Sequence, residues 1–195
     1  MGKLTVRLGE ESFYFADEHD KYDSLAEETL RKIDMYDAPI NMTQVLSKNN
    51  FITRRMPLSS DVSGILLVNK SNKILDTDSH QMVVVSDKLD FEEFRFISAH
   101  EFGHYVLRET IDSSSDSKQV SQYAHSDNTQ ISVSEEEKKA NTIAICLLMP
   151  RQLTIKAWHD LDEDMCIEEK KTRLAEQFQV IPDLVDVRLK MLELA

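Results

Sequence analysis

Glycine and proline are scarce in this 195-residue chain, four of each, which excludes a collagenous, linker-rich or proline-rich protein. Cysteine is scarcer still. Cys146 and Cys166 form no CxxC pair, so a disulfide scaffold is not expected and a reducing compartment suits the chain better. Long hydrophobic runs are missing: the longest, Ile143 to Met149, has seven residues, against the roughly twenty that span a bilayer. The opening MGKLTVRLGEE has no apolar stretch of secretory type, and Val6 stands where a myristoylation pattern asks for Ser or Thr. A cytoplasmic protein is therefore the expectation. Basic charge is also short, 23 Lys and Arg against 35 Asp and Glu, a net −12 that should repel nucleic acid and anionic lipid. The acids concentrate in Glu10–Asp37, with ten acids to three bases, and again in Asp160–Glu169, with six acids. Such blocks are ordinarily solvated faces, the alternative being a docking face for a basic partner.

What remains is an ordinary globular composition, 41% hydrophobic, on a chain long enough to bury about two-thirds of its unfolded surface. Periodicity divides it. Residues from about Asp20 to Met56 read as helical, broken at Pro39, with Asn41 or Thr43 capping the second piece. Residues 61–86 read as strands: Gly64–Asn69, a return over Lys73–Thr77, and the β-branched run Gln81–Val85. Residues 87–109 read as a helix capped by Asp87 or Asp90, with Phe91, Phe94, Ile97, Phe102, Tyr105 and Val106 as apolar contacts. Residues 110–133 read as a long polar loop. Ser134 with Glu137 fits a capping box opening a helix that turns wholly apolar and ends at Pro150. Lys170–Ala195 reads as two short helices broken near Ile181-Pro182.

The informative residues are His100-Glu101-Phe102-Gly103-His104, an HExxH on a predicted helix. Positions i and i+4 share a helix face, so two imidazoles can converge on one ion at about 2.0–2.1 Å. Glu101 beside that face can reach a water on the ion and take its proton without being a ligand, which is what a zinc hydrolase requires. A bare HExxH also arises by chance as two surface histidines beside an acid. Here the amphipathic helix, the preceding β-branched strand and a third-ligand candidate on a following helix favour the metal reading. Gly103, costly in a helix interior, suggests a second element packed close. The third ligand is open between Glu137, its neighbours Glu135 and Glu136, and a histidine such as His125. Glu137 is preferred because Asn141, four residues on, can hydrogen-bond a ligand. Tyr123 and His125 in the polar loop are further candidates for contacting substrate or an oxyanion.

HEFGH followed by SEEEKKANTIAICLLMP resembles the ImmA/IrrE family of zinc metallopeptidases, whose pattern joins HExGH to E-x-x-A-N-x-x-A-x-x-L-L-M-P. Glu137, Ala140, Asn141, Ala144, Leu147, Leu148, Met149 and Pro150 carry the second motif, with Ile143 where the family usually has Phe. Pro39–Phe51 and the stretch from Leu174 to Leu189 resemble the family's flanking helices more loosely, and the first twenty or so residues carry no match. The resemblance implies a gluzincin-type site in which His100, His104 and Glu137 hold one zinc ion and Glu101 is the general base. It also implies a partner. Family members act in bacteria, their phages or integrated elements, cutting helix-turn-helix repressors and so relieving repression.

The expectation is therefore an α+β, zincin-like metalloprotease fold. A helical region (1–60) precedes a catalytic core (61–158) with a small sheet from residues 64–85, and a C-terminal helical pair (159–195) packs on that core. Two rival functions stand beside proteolysis. One is a regulator that sequesters a repressor without cutting it. The other is a DNA-binding protein using the C-terminal helical pair, which the acidic charge disfavours. No direct nucleic-acid or membrane binding is expected, and no motif speaks to oligomeric state.

Overall fold

Asn41 caps the second of the helices that precede the sheet. Its side chain accepts from the Gln44 N–H and opens α2 (Met42–Lys48), while α1 (Asp20–Lys32) buries Tyr22, Ala26 and Leu30 on one stripe. The computed structural model describes residues 9–15, 19–68, 74, 79–111, 119–124 and 134–195, without the side chains of 108–111 and 119–124.

The sheet extends beyond the residues 64–85 expected. Four strands run in the order β1-β3-β2-β4: β1 (Phe51–Met56), β2 (Val62–Val68), β3 (Gln81–Ser86) and β4 (Gln119–Ala124). β1 and β3 are parallel, from Phe51 opposite Gln81 to Met56 opposite Ser86. β2 is antiparallel to both β3 and β4. The helical reading through Met56 is thus corrected. Asn50 sits in the left-handed region at φ 63°, which ends α2 and releases Phe51-Ile52-Thr53 as a strand. The boundary expected at residue 60 separates β1 from its own sheet. The polar-loop reading of 110–133 is corrected in part too. An edge strand is held by backbone hydrogen bonds along one side, so Gln119–Ala124 needs no apolar run to pair with β2. Of the expected return over Lys73–Thr77, only Ile74 falls among the described residues.

The long helix α3 (Phe91–Ile111) lies against β2 and β3. Asp90 opens it: its carboxylate accepts from the Glu93 N–H at 3.0 Å and the Glu93 carboxylate accepts from the Asp90 N–H at 3.1 Å. Phe96, Ile97, Ala99, Phe102 and Val106 face the core, and the Phe51 ring of β1 meets the Phe102 ring edge-on at 5.9 Å. Phe91 stays exposed instead of packing, with the buried Arg95 guanidinium 5.7 Å from its ring centroid.

Helix α4 (Glu135–Leu148) packs on α3 on one side and α1 on the other, and every residue from Ala140 to Met149 is buried. Pro150 ends α4 and also opens α5 (Arg151–His159), a helix absent from the sequence reading. A proline carbonyl can still accept, and the Thr154 N–H and hydroxyl both donate to it at 2.9 Å. α6 (Ile167–Phe178) begins before the expected Lys170; Gln179 at φ 53° ends it, and Pro182 opens α7 (Pro182–Met191). Leu174, Phe178, Leu184, Val185 and Leu189 join the common core. Arg95 of α3 donates to the Phe178 and Gln179 carbonyls, tying α3 to the end of α6.

Arg188 of α7 is fully buried. It donates to the Met149 carbonyl at 2.8 Å and pairs with Asp23 of α1, which also receives Arg151 at 3.1 Å. Burial alone would raise the Asp23 carboxyl, but the Arg188 guanidinium and its hydrogen bond outweigh that and hold it below the usual carboxylate range.

Candidate metal centre

The two histidines of HExxH lie one above the other on the α3 face toward α4, His100 fully buried and His104 nearly so. Their rings stand at 86° with centroids 4.7 Å apart, and their Nε2 atoms approach to 3.0 Å. Glu137 reaches them from the first turn of α4: one carboxylate oxygen is 3.1 Å from His100 Nε2 and the other 3.4 Å from His104 Nε2. Ser134 caps that helix, its hydroxyl accepting from the Glu137 N–H at 3.3 Å. Only half of the expected capping box is made, because the Glu137 carboxylate turns to the imidazoles and not back to the Ser134 N–H.

The helices approach most tightly at Gly103. A Cβ on Gly103 would lie 2.9 Å from the Ala140 carbonyl oxygen and 3.4 Å from its Cα, so α3 and α4 meet backbone to backbone. The suggestion that Gly103 marks a close neighbour holds, and the neighbour is α4.

The protonation states suit ligation. The His100 Nδ1–H donates to Asn141 Oδ1 at 2.8 Å, which leaves Nε2 with its lone pair facing His104 and Glu137. Burial pushes the His100 imidazole down. A tetrahedral ion with bonds of about 2.0–2.1 Å spaces its ligand atoms roughly 3.3–3.4 Å apart. The 3.0, 3.1 and 3.4 Å separations of these ring nitrogens and carboxylate oxygens are of that size, so the donor set fits one small divalent cation.

Glu101 is fully buried on the neighbouring face of α3, against β2. Gly64 makes its place: a Cβ there would stand 2.6 Å from Glu101 Oε1 and 2.5 Å from Ile97 Cγ2. The sequence reading passed over Gly64 as part of an apolar run. A glycine inside a strand, one of four in the chain, was the available signal. Tyr123 of β4 pairs by backbone with Gly64, which sets it across the strand from this contact. His125 lies outside the described residues. Glu135 takes a hydrogen bond from the Tyr14 hydroxyl and lies near Lys138, away from the imidazoles; Glu136 is exposed.

A second group of possible ligands, His19, Asp20 and Asp23, is already filled by protein cations. Arg151 sits 2.9 Å from His19 Nε2 and pairs with both aspartates, and Arg188 pairs with Asp23, so it is an ion-pair network. Among the described residues no helix is long and apolar enough to cross a membrane.

Compared with known families, residues 59–190, well over half of the chain, match the peptidase family described as the IrrE N-terminal-like domain. No curated protein matches the chain.

Proposed function

The chain belongs to the family of peptidases with an IrrE N-terminal-like domain, and on that premise we propose that it is a single-zinc endopeptidase with a zincin-like core built on α3, α4 and the sheet. The observation that carries this reading is the convergence of His100 Nε2, His104 Nε2 and the Glu137 carboxylate within 3.4 Å of one another.

His100, His104 and Glu137 would hold the ion, and Asn141 fixes the His100 ring through Nδ1. An ion held there would supply Lewis acidity for a peptide carbonyl and for a water. Glu101 accepts the water proton and delivers it to the leaving amine. Burial of Glu101 against Gly64 keeps that carboxylate in one position. Tyr123, opposite Gly64 in the sheet, and His125 beyond it are the candidates for contacting substrate or the developing oxyanion.

The substrate is a separate cytoplasmic protein, a helix-turn-helix repressor, whose cleavage relieves repression. The ImmA/IrrE resemblance of HEFGH and SEEEKKANTIAICLLMP suggests it, and the −12 charge disfavours direct DNA binding by this chain. α6 and α7 bury Leu174, Phe178, Leu184 and Leu189 in the common core, which favours a packing role for that pair over groove reading.

The test is incubation of the full chain and repressors encoded beside it with zinc, with a chelator, and with the Glu101→Gln variant. Cleavage should need zinc and vanish in Glu101→Gln, which keeps its metal. If Glu101→Gln releases the repressed gene as well as the parent does, the protein acts by sequestration and the peptidase mechanism is wrong.

A further inference from the structure

Residues 9–15 precede the family-matched region, yet they lie along the helix that carries Glu137. A 3-10 turn (Glu10–Ser12) brings the backbone onto α4, and Phe13 anchors it in the core at 4% exposure. The Tyr14 N–H donates to Thr142 Oγ1 at 3.0 Å, and the Tyr14 hydroxyl donates to the Glu135 carboxylate. Between these anchors the Ser12 carbonyl accepts from Asn141 Nδ2 at 3.2 Å, at a site where Asn141 is 1% exposed.

We propose that residues 9–15 form a positioning strap for the metal centre, in which the Ser12 carbonyl sets the orientation of the Asn141 amide and through it the tautomer of His100. The inference rests on the metallopeptidase reading above. Its logic is one of donors and acceptors. A backbone carbonyl only accepts, so the side of the amide facing Ser12 must be the NH2 group. Oδ1 then faces His100, and an acceptor there requires the ring proton on Nδ1. Nε2 is left bare for the ion. Take the Ser12 carbonyl away and the amide can turn over, offering N–H to Nδ1 and favouring the proton on Nε2, where it blocks ligation. Partners one step behind a metal ligand typically change metal affinity by about 10–100-fold.

The strap can be loosened without touching Asn141 or any ligand. Tyr14→Phe removes the bond to Glu135, and Thr142→Val removes the acceptor for the Tyr14 N–H. The full-length double variant should bind zinc at least about tenfold more weakly in competition with a chromophoric chelator, and its cobalt-substituted form should show altered d–d bands. Asn141→Asp supplies the measurement that a merely structural strap would not move. A carboxylate accepts from the Nδ1–H in either orientation and can make no hydrogen bond to the Ser12 carbonyl, so in that background loosening the strap should change zinc affinity less than twofold. Unchanged affinity in the double variant would overturn the strap, and so would an equal loss in both backgrounds, which marks general loosening. Should the double variant lose its helical signal, Tyr14→Phe alone is read by the same comparison. A parent protein that takes up no zinc at all would instead sink the metallopeptidase reading itself, a result distinct from either failure of the strap.

Discussion

Gly103 and Ala140 set the separation of the two helices that carry the candidate ligands: a Cβ at 103 would stand 2.9 Å from the Ala140 carbonyl oxygen. Two effects of Gly103→Ala oppose each other. Helix propensity improves by about 1 kcal/mol, while forcing a methyl between two backbones costs about 1–3 kcal/mol. Backbone on both sides leaves little room to relax, so the second effect wins. The variant should melt below the parent and bind zinc more weakly, measured by calorimetry and chelator competition.

Gly64→Ala should separate catalysis from metal binding. The new Cβ would meet Glu101 Oε1 and Ile97 Cγ2, both side-chain atoms that can shift, and neither belongs to the ligand set. Zinc content should stay at the parent value while cleavage falls by about tenfold or more, since misplacing a reacting group by about 1 Å can cost a hundredfold. Equal activity would show that the Glu101 position is not critical.

Removing the metal should destabilise the fold. Binding to the native state alone adds about 2.7 kcal/mol at a free zinc concentration one hundred times the Kd. The melting temperature should therefore rise with zinc, fall with chelator, and respond to neither in His104→Ala.

Asp23 predicts the response to acid. Its folded-state pKa lies below the ordinary value of 3.8. The unfolded state therefore binds more protons between those two values, and stability rises with pH there. The contribution is complete above the unfolded value and is lost as pH falls through the folded one. Asp23→Asn should flatten that part of the stability profile. It should also cost about 3–5 kcal/mol near neutrality, because Arg188 is left buried with its charge uncompensated. Denaturant melts at pH 3 to 7 measure both effects.

The two histidines, Glu101, Gly103 and the Ser134 cap were legible in the sequence because each obeys a short-range rule: a helical repeat, a glycine where helices touch, a hydroxyl before three acids. Glu137 and Asn141 were legible through their four-residue spacing and the motif they share. The misses have a common cause. β1 and β4 are edge strands, and their pairing depends on distant backbone that leaves little mark on FITRRM or QVSQYA. α5 was hidden because Pro150 was read as a stop when it is also a start. Ser12 gave no sign at all. It acts through a carbonyl, which every residue possesses, at a separation of 129 positions from Asn141.

Arg188 lies inside the stretch 59–190, but its counter-ion Asp23 lies outside it, as does strand β1. A fragment trimmed to the matched limits would thus keep a cation sealed in its interior with nothing to neutralise it, and would bare the flank of β3 to any passing strand. The stretch that matches the family thus leans, for a counter-ion and for a sheet neighbour, on the 58 residues ahead of it.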